Sequence, residues 1–217
     1  MTENDLPTAK TGSWYDGFLY DKLIIPMATW LLEMIAGSIP QNSAVVEVGC
    51  GPGALAFKLS GKCSNVTAVD VSKRMIEYAN KRKLKRGIRN VEFICMDASQ
   101  MAERIDKHFD YAVASFCLHE MEPRRRSVVT RNCLSLADRM IIADYRAPFP
   151  KTTVGVAQTL LEAMEGKWRY RNFRSWQGAG GIDGFIESMN LEKITETEWK
   201  DGIGKTIQVS QGSGKGK

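Results

Sequence analysis

The chain has 217 residues, a formal net charge of +5 at pH 7, and 43% hydrophobic against 25% charged residues. This length and composition predict one globular domain with a sizeable core, and they exclude a disordered or collagen-like chain. No apolar run approaches the ~20 residues that cross a bilayer, and the first residues do not resemble a secretory signal, so we expect a cytoplasmic protein with no membrane partner.

The predicted elements begin with two helices within residues 13–37, broken near Pro26 and closed by Gly37. Strands and helices then alternate along the chain. The strands are 44–49, 65–70, 90–95, 109–116 and 138–144, and the helices that follow them are 53–61, 72–86, 98–104, 123–136 and 152–166. This alternation predicts a parallel sheet with helices on both faces, and right-handed crossovers make it a doubly wound α/β fold.

The last part of the chain follows a different pattern. A short helix is predicted over 181–189, followed by strand-like runs over 191–200 and 203–210 that meet at Asp201-Gly202, a typical hairpin turn. The hairpin would place one antiparallel strand at or near an edge of a seven-stranded sheet. We therefore divide the chain into an N-terminal helical cap (1–40), a ligand-binding α/β domain (41–210) and a disordered tail (211–217).

The five cysteines are odd in number and dispersed, and none forms a CxxC pair. They are Cys50, Cys63, Cys95, Cys117 and Cys133. Several lie in apolar runs, so we interpret them as reduced, buried thiols and expect no metal site.

The most informative segment is the turn VVEVGCGPG, in which an apolar strand leads through three alternate glycines into a helix. Glycine lets the backbone approach a ligand closely and adopt a positive φ. Gly49, Gly51 and Ala54, with Asp70 about 20 residues on, also satisfy the dinucleotide fingerprint. The glycines therefore do not decide which nucleotide is bound.

Two carboxylates and the terminal hairpin bear on whether the bound nucleotide carries a diphosphate. Glu47 ends the first strand beside the turn, and Asp97 follows the third strand at the same predicted edge of the sheet. Like charges repel, so carboxylates here disfavour a diphosphate.

Together these residues resemble the class I S-adenosylmethionine-dependent methyltransferases, in particular the small-molecule branch that includes ubiquinone and sterol methyltransferases. The resemblance covers residues 40–146 and the hairpin ending, and it is carried by the motifs VVEVGCGPG, VTAVDVS, CMDAS and SFCLHE. It implies that Asp70 accepts hydrogen bonds from the ribose hydroxyls and Asp97 from the adenine amino group. The cofactor residues that it implies are Glu47, Gly49, Cys50, Gly51, Gly53, Asp70, Val71, Met75, Met96, Asp97, Ala98 and Ser115.

The chemistry of the cofactor supports this choice over a dinucleotide. S-adenosylmethionine has no phosphate, and its sulfonium, ammonium, hydroxyls and amine all prefer anions or acceptors. A cleft with Glu47, Asp70 and Asp97 therefore suits it. As structural alternatives, Asp70 or Asp97 could cap the helix that follows, although Ser72 fits the cap after Asp70 better.

His119 and Tyr15 are the candidate catalytic residues. A histidine at the end of the fourth strand could take a proton from an acceptor, or it could only hydrogen-bond the backbone of a loop. Tyr15 belongs with Trp14, Phe18 and Tyr20 to a group of aromatics that either closes over the cofactor or packs on the sheet.

The segment 167–176 interleaves cations and aromatics, which suits either substrate selection or aromatic packing with solvated arginines. After the fourth strand the motif Asn/Asp-Pro-Pro-Tyr is absent, and this disfavours methylation of nucleic-acid bases or glutamine. The mild net charge likewise does not favour nucleic acid as a partner.

We therefore predict methyl transfer from S-adenosylmethionine to a small-molecule acceptor by in-line displacement. Two alternatives are an NAD-type oxidoreductase, which the glycines also fit, and a non-catalytic S-adenosylmethionine-binding regulatory protein.

Overall fold

The computed structural model describes residues 25–164 and 166–212, with side chains from residue 29 onward. The predicted helix before Pro26, the candidate catalytic residue Tyr15 with its neighbouring aromatics, and most of the predicted tail lie outside the described residues. The first described helix, α1, spans Ile25–Ser38, so Pro26 lies in its first turn. Gly37 lies inside this helix, so the prediction that it closes the helix is wrong by one residue.

The described helices and strands follow the predicted order. The strands are β1 (Ala44–Val48), β2 (Asn65–Asp70), β3 (Val91–Cys95), β4 (Phe109–Ser115), β5 (Ala137–Tyr145), β6 (Leu191–Glu198) and β7 (Gly204–Gln211). The helices after α1 are α2 (Ala54–Leu59), α3 (Lys73–Arg86), α4 (Met101–Arg104), α5 (Pro123–Leu136), α6 (Thr153–Met164), α7 (Lys167–Gly178) and α8 (Gly181–Ser188), and a 3₁₀ helix spans Ala98–Gln100.

The sheet has seven strands in the order β3-β2-β1-β4-β5-β7-β6. The first five strands are parallel, whereas β7 is antiparallel to both β5 and β6. The doubly wound α/β fold is therefore confirmed, including an antiparallel strand next to an edge. The carboxyl ends of β1, β2, β3 and β4 lie side by side, and ligands of open α/β sheets bind at this edge.

The core lies on both faces of the central strands. Val45, Val46 and Val48 of β1 are fully buried, as are Ile141 and Ile142 of β5. Helices cover both faces of a parallel sheet, so its inner strands form nearly continuous apolar runs. The edge strand β6 is instead exposed along nearly its whole length and is rich in charged and threonine side chains, which protect an edge from pairing with another chain.

The terminal hairpin forms at the predicted turn. Gly202 has φ +72°, and the Asp201 carboxylate accepts a hydrogen bond from the N–H of Ile203 at 3.1 Å. Trp199 packs against Gly204, where any Cβ would lie 2.2 Å from the indole ring. Because β7 pairs with β5, the hairpin places the buried Trp199 next to Tyr145 at the end of β5.

One helix, α7, was not predicted. Its segment alternates cations with aromatics, a pattern that shows no simple apolar period. In the fold, Asn172, Phe173 and Trp176 share one buried face, and Arg171 and Arg174 are exposed. The interpretation in which the aromatics pack and the arginines stay solvated is thus confirmed for these residues.

Candidate active site

The turn after β1 contains three glycines with left-handed backbones, φ +70° at Gly49, +51° at Gly51 and +82° at Gly53. A Cβ on Gly49 would lie 2.7 Å from the Cβ of Cys117, and one on Gly53 would lie 2.5 Å from the ring of Phe93. A Cβ on Gly51 would meet no heavy atom within 4 Å. The outer two glycines are therefore needed for packing, whereas Gly51 borders open space in which a ligand can approach the backbone.

Asp70, the last residue of β2, joins two neighbouring turns. Its Oδ2 accepts a hydrogen bond from the N–H of Gly51, and its Oδ1 accepts one from the N–H of Ser72, both at 2.8 Å. The N-cap of α3 is Ser72, so the alternative in which Asp70 caps this helix is wrong. Each carboxylate oxygen retains a lone pair for a further donor.

The electrostatic surroundings of Asp70 are mixed. Burial raises its pKa above the usual range, while the N–H donors of Ser72 and Gly51 and the guanidinium of Arg169 oppose this rise. A donor from a ligand would stabilise the ionised carboxylate further.

Asp97, after β3, has two partners. Its Oδ1 accepts a hydrogen bond from the N–H of Ser99 at 3.0 Å and caps the 3₁₀ helix, as the structural alternative predicted. Its Oδ2 pairs with the guanidinium of Arg125 on α5, which sequence reasoning did not foresee. The predicted role of Asp97 toward an adenine amino group stays a prediction.

Glu47 lies within β1, next to its last residue, and is only 2% exposed. Burial, and then the charge of Asp70, raise its pKa to about 8, although a backbone hydrogen bond from Ala56 opposes this rise. Among the described residues its Oε2 has no hydrogen-bond partner. Glu47 is therefore mostly neutral at pH 7, whereas the sequence led us to expect a third anion at the edge of the sheet.

Of the other predicted cofactor residues, Met75 lies in the first turn of α3, and the rest lie in or directly after the same turns and strand ends. Cys50, Met96 and Ala98 are buried, Met75 and Ser115 are half-buried, and Val71 is exposed. Their predicted contacts with a cofactor stay predictions.

A wall of aromatic rings begins directly after β4. Phe116 has a positive φ of +50°, which is strained for a bulky residue. The centroid of its ring lies 5.4 Å from that of Tyr145 and 5.1 Å from that of Trp199. Trp199 in turn contacts Trp30 of α1 at 5.8 Å. We call Phe116, Tyr145, Trp199 and Trp30 the aromatic wall. Sequence reasoning missed it, and its one local signal was the position of Phe116 in the motif SFCLHE.

His119 is buried, with 3% of its surface exposed. Its Nδ1 lies 2.7 Å from Oδ1 of Asp144 at the end of β5, and its Nε2 lies 3.8 Å from Oε2 of Glu162 on α6. Burial lowers the pKa of His119, but the two carboxylates and Glu120 outweigh it and raise the pKa to about 9. His119 is therefore an imidazolium at neutral pH that joins β4, β5 and α6.

The inner face of α6 extends this polar network. The Nε2 of Gln158 donates to the hydroxyl of Tyr145 at 2.7 Å and to Oε1 of Glu162 at 3.1 Å. Since Tyr145 belongs to the aromatic wall, α6 connects the wall to the buried histidine.

Helix α7 is fastened to the segment between β4 and α5. Asn172 donates to the carbonyl of Glu120 at 2.8 Å, while the buried guanidinium of Arg126 donates to the carbonyl of Asn172 at 2.6 Å. Arg169 pairs with the Glu120 carboxylate at 3.2 Å. The positive charge of Arg169 also lowers the pKa of Asp70. Helix α7 therefore lies toward the cleft rather than apart from it.

The described part of the chain has neither a cluster of metal ligands nor a membrane-spanning helix. No group of three or more His, Cys, Asp or Glu side chains there is arranged to hold a metal ion. No described helix has both the length and the apolarity that crossing a membrane requires.

Comparison with known proteins agrees with this geometry. Residues 45–138 match a family model described as a methyltransferase domain. Over 178 residues the chain is 30% identical to aklanonic acid methyltransferase DauC of Streptomyces sp. (strain C5), an alignment that covers 72% of this chain and 79% of that protein. It is 25% identical to the ubiquinone biosynthesis O-methyltransferase of Xylella fastidiosa (strain 9a5c), over 80% of this chain and 72% of that protein.

A solved structure with the same fold is N-methyltransferase NodS from Bradyrhizobium japonicum WM9 in complex with S-adenosyl-L-homocysteine. The two chains are 18% identical, with a TM-score of 0.60 and 86% of each chain covered. The glycine turn, the carboxylates at the strand ends and the similarity to DauC lead to one assignment. The chain belongs to the class I S-adenosylmethionine-dependent methyltransferases, and its cofactor is S-adenosyl-L-methionine.

Proposed function

We propose that this methyltransferase acts on a small-molecule acceptor and that the predicted residues of the glycine turn and strand ends hold the cofactor. The names of two relatives support a small-molecule acceptor, since one acts on aklanonic acid and the other serves ubiquinone biosynthesis. The observation that carries the proposal is the carboxylate of Asp70, fixed by the N–H of Gly51 beside open space.

The chemistry of the described residues fits the cofactor. Asp70 retains lone pairs for the ribose hydroxyls, and Gly51 lets the backbone approach the ligand closely. Asp97 can accept from the adenine amino group, with Arg125 holding its carboxylate in place. Hydrogen bonds to charged acceptors contribute ~1.5–3 kcal/mol each, so these two aspartates would supply much of the affinity.

The cofactor supplies a methyl group already activated on a sulfonium. The work of the protein is then to align the acceptor and to exclude water. The aromatic wall suits both tasks, because the rings of Phe116 after β4, Tyr145 at the end of β5 and Trp199 after β6 come together there. Rings in this position would hold a flat or apolar acceptor.

The catalytic role of His119 remains a prediction, and the geometry favours a positioning role. An imidazolium with a pKa of about 9 carries its proton at neutral pH, and both of its nitrogens face carboxylates. To take a proton from the methyl acceptor, His119 would have to turn its Nε2 away from Glu162 and toward that acceptor. Tyr15 stays the second candidate and lies outside the described residues.

We also propose a cytoplasmic location, which is supported by the free state of the five cysteines. Four of them are buried as predicted, whereas the prediction is wrong for Cys95, which is exposed. Of the two alternatives, an NAD-type oxidoreductase is not favoured, because the relatives are methyltransferases. A non-catalytic cofactor-binding protein would hold S-adenosylmethionine without turnover.

The test is calorimetric titration of the purified chain with S-adenosylhomocysteine and with NAD, followed by assays of S-adenosylhomocysteine release with a panel of phenolic, carboxylic and amine acceptors. We expect binding of the first ligand only, and turnover with at least one acceptor. Binding without turnover across the panel would favour the non-catalytic alternative, and binding of NAD alone would contradict the proposal.

A further inference from the structure

Helix α6 buries polar side chains and exposes apolar ones. The side chains that it turns inward are polar, with Glu162 buried and Gln158 and Thr159 half-buried. The side chains that it turns outward are large and apolar, and they are Val154, Val156, Leu160, Leu161 and Met164. Leu160 is 62% exposed and Met164 82%. A helix on the surface of a soluble domain normally shows the opposite pattern.

The exposed residues form a continuous strip rather than scattered contacts with solvent. With 3.6 residues per turn, these five positions fall within an arc of about 160°, so they lie on one side of the helix. A shallow groove of about 530 Å³ follows this side and is lined by Lys151, Thr152, Thr153, Val156, Ala157 and Leu160. We call this strip and groove the α6 outer face. Contiguous apolar surface of this kind marks a site of contact with a protein or a membrane.

Cations precede and follow the α6 outer face in the sequence. Lys151 precedes the helix, and Lys167 and Arg174 follow it, all exposed. Arg171 is exposed as well, but its guanidinium pairs with Glu122 at 3.4 Å. Glu162 points inward toward His119, and a second acid, Glu165, follows the helix in the sequence. Trp168, 44% exposed, begins the next helix. Apolar side chains with a tryptophan and flanking basic residues are the composition of helices that lie in a membrane interface.

We propose that the α6 outer face docks on the surface of an anionic lipid bilayer. Its apolar strip would enter the boundary between headgroups and acyl chains, and the surrounding cations would pair with anionic headgroups. A second copy of this chain fits less well, because a twofold contact through this face would bring like charges together. This inference departs from our expectation of no membrane partner, and it involves no membrane-spanning helix.

Docking here would place the bilayer close to the cleft. The inner side of α6 contacts Tyr145 and His119 through Gln158 and Glu162. The lipid surface would thus lie about one helix diameter, roughly 10 Å, from the aromatic wall. An acceptor dissolved in the bilayer could then reach the wall over a short path. The docking itself does not depend on which acceptor is used.

The test is flotation of the full-length chain with vesicles of phosphatidylcholine, with and without phosphatidylglycerol, at low and high salt. We expect binding to the anionic vesicles that weakens at high salt. Leu160→Ser should weaken it at least about tenfold, the value expected for removing one buried leucine. Lys167→Gln should weaken it about fivefold on anionic vesicles only.

Leu84→Ser is the matched control. Leu84 is 80% exposed on α3 among basic residues, so it tests whether any exposed leucine in a basic region has the same effect. Unchanged vesicle binding by this variant supports the proposal, and loss equal to that of Leu160→Ser overturns it. All three variants should bind S-adenosylhomocysteine as wild type does, which keeps this test separate from that of the proposed function.

Two further results would overturn the proposal. One is an absence of vesicle binding together with a dimer in sedimentation equilibrium that Leu160→Ser dissociates, which would make a second copy the partner. The other is an absence of vesicle binding by a monomer, which would mean that the chain's own residues 1–24 or another ligand cover the face.

Discussion

Asp70 is the residue on which cofactor affinity should depend most. Its two oxygens already hold the turns after β1 and β2 in place, so its carboxylate is oriented before any ligand arrives. We expect Asp70→Ala to weaken binding of S-adenosylmethionine by roughly ten- to a hundredfold, since hydrogen bonds to a charged acceptor are lost. Isothermal titration calorimetry measures this change.

Asp110→Ala provides the control for this substitution. Asp110 also accepts a backbone hydrogen bond, from the N–H of Ala44 at 2.7 Å, but it lies at the opposite, amino end of the sheet. Its loss should leave cofactor affinity unchanged. Equal weakening by both substitutions would show that Asp70 acts through folding rather than through ligand contact.

Glu47 should make the stability of the protein depend on pH. Its pKa rises from 4.5 to about 8 on folding, so the folded state favours the neutral acid. The resulting stability is complete below pH 4.5 and is lost as the pH rises through about 8. Within that window the free energy of unfolding should fall by up to about 1.4 kcal/mol per pH unit.

Glu47→Gln removes the ionisation and keeps the shape of the side chain. The variant should lack the Glu47 contribution to this slope, so that its stability relative to wild type increases with pH. Urea unfolding at several pH values from acid to mildly alkaline measures the difference. A constant difference between variant and wild type would show that Glu47 does not carry a raised pKa.

At the scale of elements, α6 contacts the end of β5 and α7 contacts the segment after β4, and both are held by polar contacts rather than by apolar packing alone. The buried Asn172 connects α7 to the carbonyl of Glu120 and to Arg126. Asn172→Ala should destabilise the protein by about 1–3 kcal/mol, because the carbonyl of Glu120 loses its buried donor. It should also speed hydrogen exchange in α7 more than elsewhere.

Arg174→Ala, an exposed substitution on the same helix, is the comparison for Asn172→Ala. It should change stability by no more than about 0.5 kcal/mol. If chemical denaturation gives the two variants the same stability, the contacts of Asn172 do not hold α7.

His119 joins three elements, and its protonation should govern that junction. With a pKa raised from 6.5 to about 9, its contribution to stability is full below pH 6.5 and is lost as the pH rises through about 9. His119→Asn should therefore be most destabilising, relative to wild type, at the acid end of this window. Denaturation across the window tests this expectation.

The pH dependence of turnover separates two roles for the same histidine. If His119 positions α6, kcat of the wild type should not increase with pH along the titration curve of a single group with a pKa near 9. If it accepts a proton, such a rise should be present in wild type and absent in His119→Asn. The geometry leads us to expect the first result.

At the scale of the whole molecule, the cofactor should stabilise the fold, because the residues proposed to bind it come from the ends of separate strands that meet only in the native state. At about 100 times its Kd, S-adenosylhomocysteine should add about 2.7 kcal/mol to the free energy of unfolding. Thermal unfolding should register this as a rise in Tm of several degrees. NAD at the same concentration should leave Tm unchanged, and an equal rise with NAD would contradict the ligand assignment.

Much of this architecture could be predicted from the sequence. Alternation of apolar strands with helical segments predicted the order of elements, the parallel sheet and the antiparallel strand near its edge, and Asp201-Gly202 predicted the hairpin. These features depend on local pattern and on the handedness of crossovers. The positions of Gly51, Asp70 and Asp97 at one edge followed from the same rules, because each comes directly after or within the end of a parallel strand.

The sequence by itself thus determined the fold, the family and the edge of the sheet where the predicted cofactor residues lie. Only the tertiary structure decided which side chains meet across the chain. Arg125 reaches Asp97 over 28 positions, Asp144 reaches His119 over 25, and Asn172 reaches Glu120 over 52. It also decided that Glu47 is buried and mostly neutral and that α6 turns its apolar side outward. The physical reason is that burial and charge pairing depend on neighbours in space, which no local period encodes.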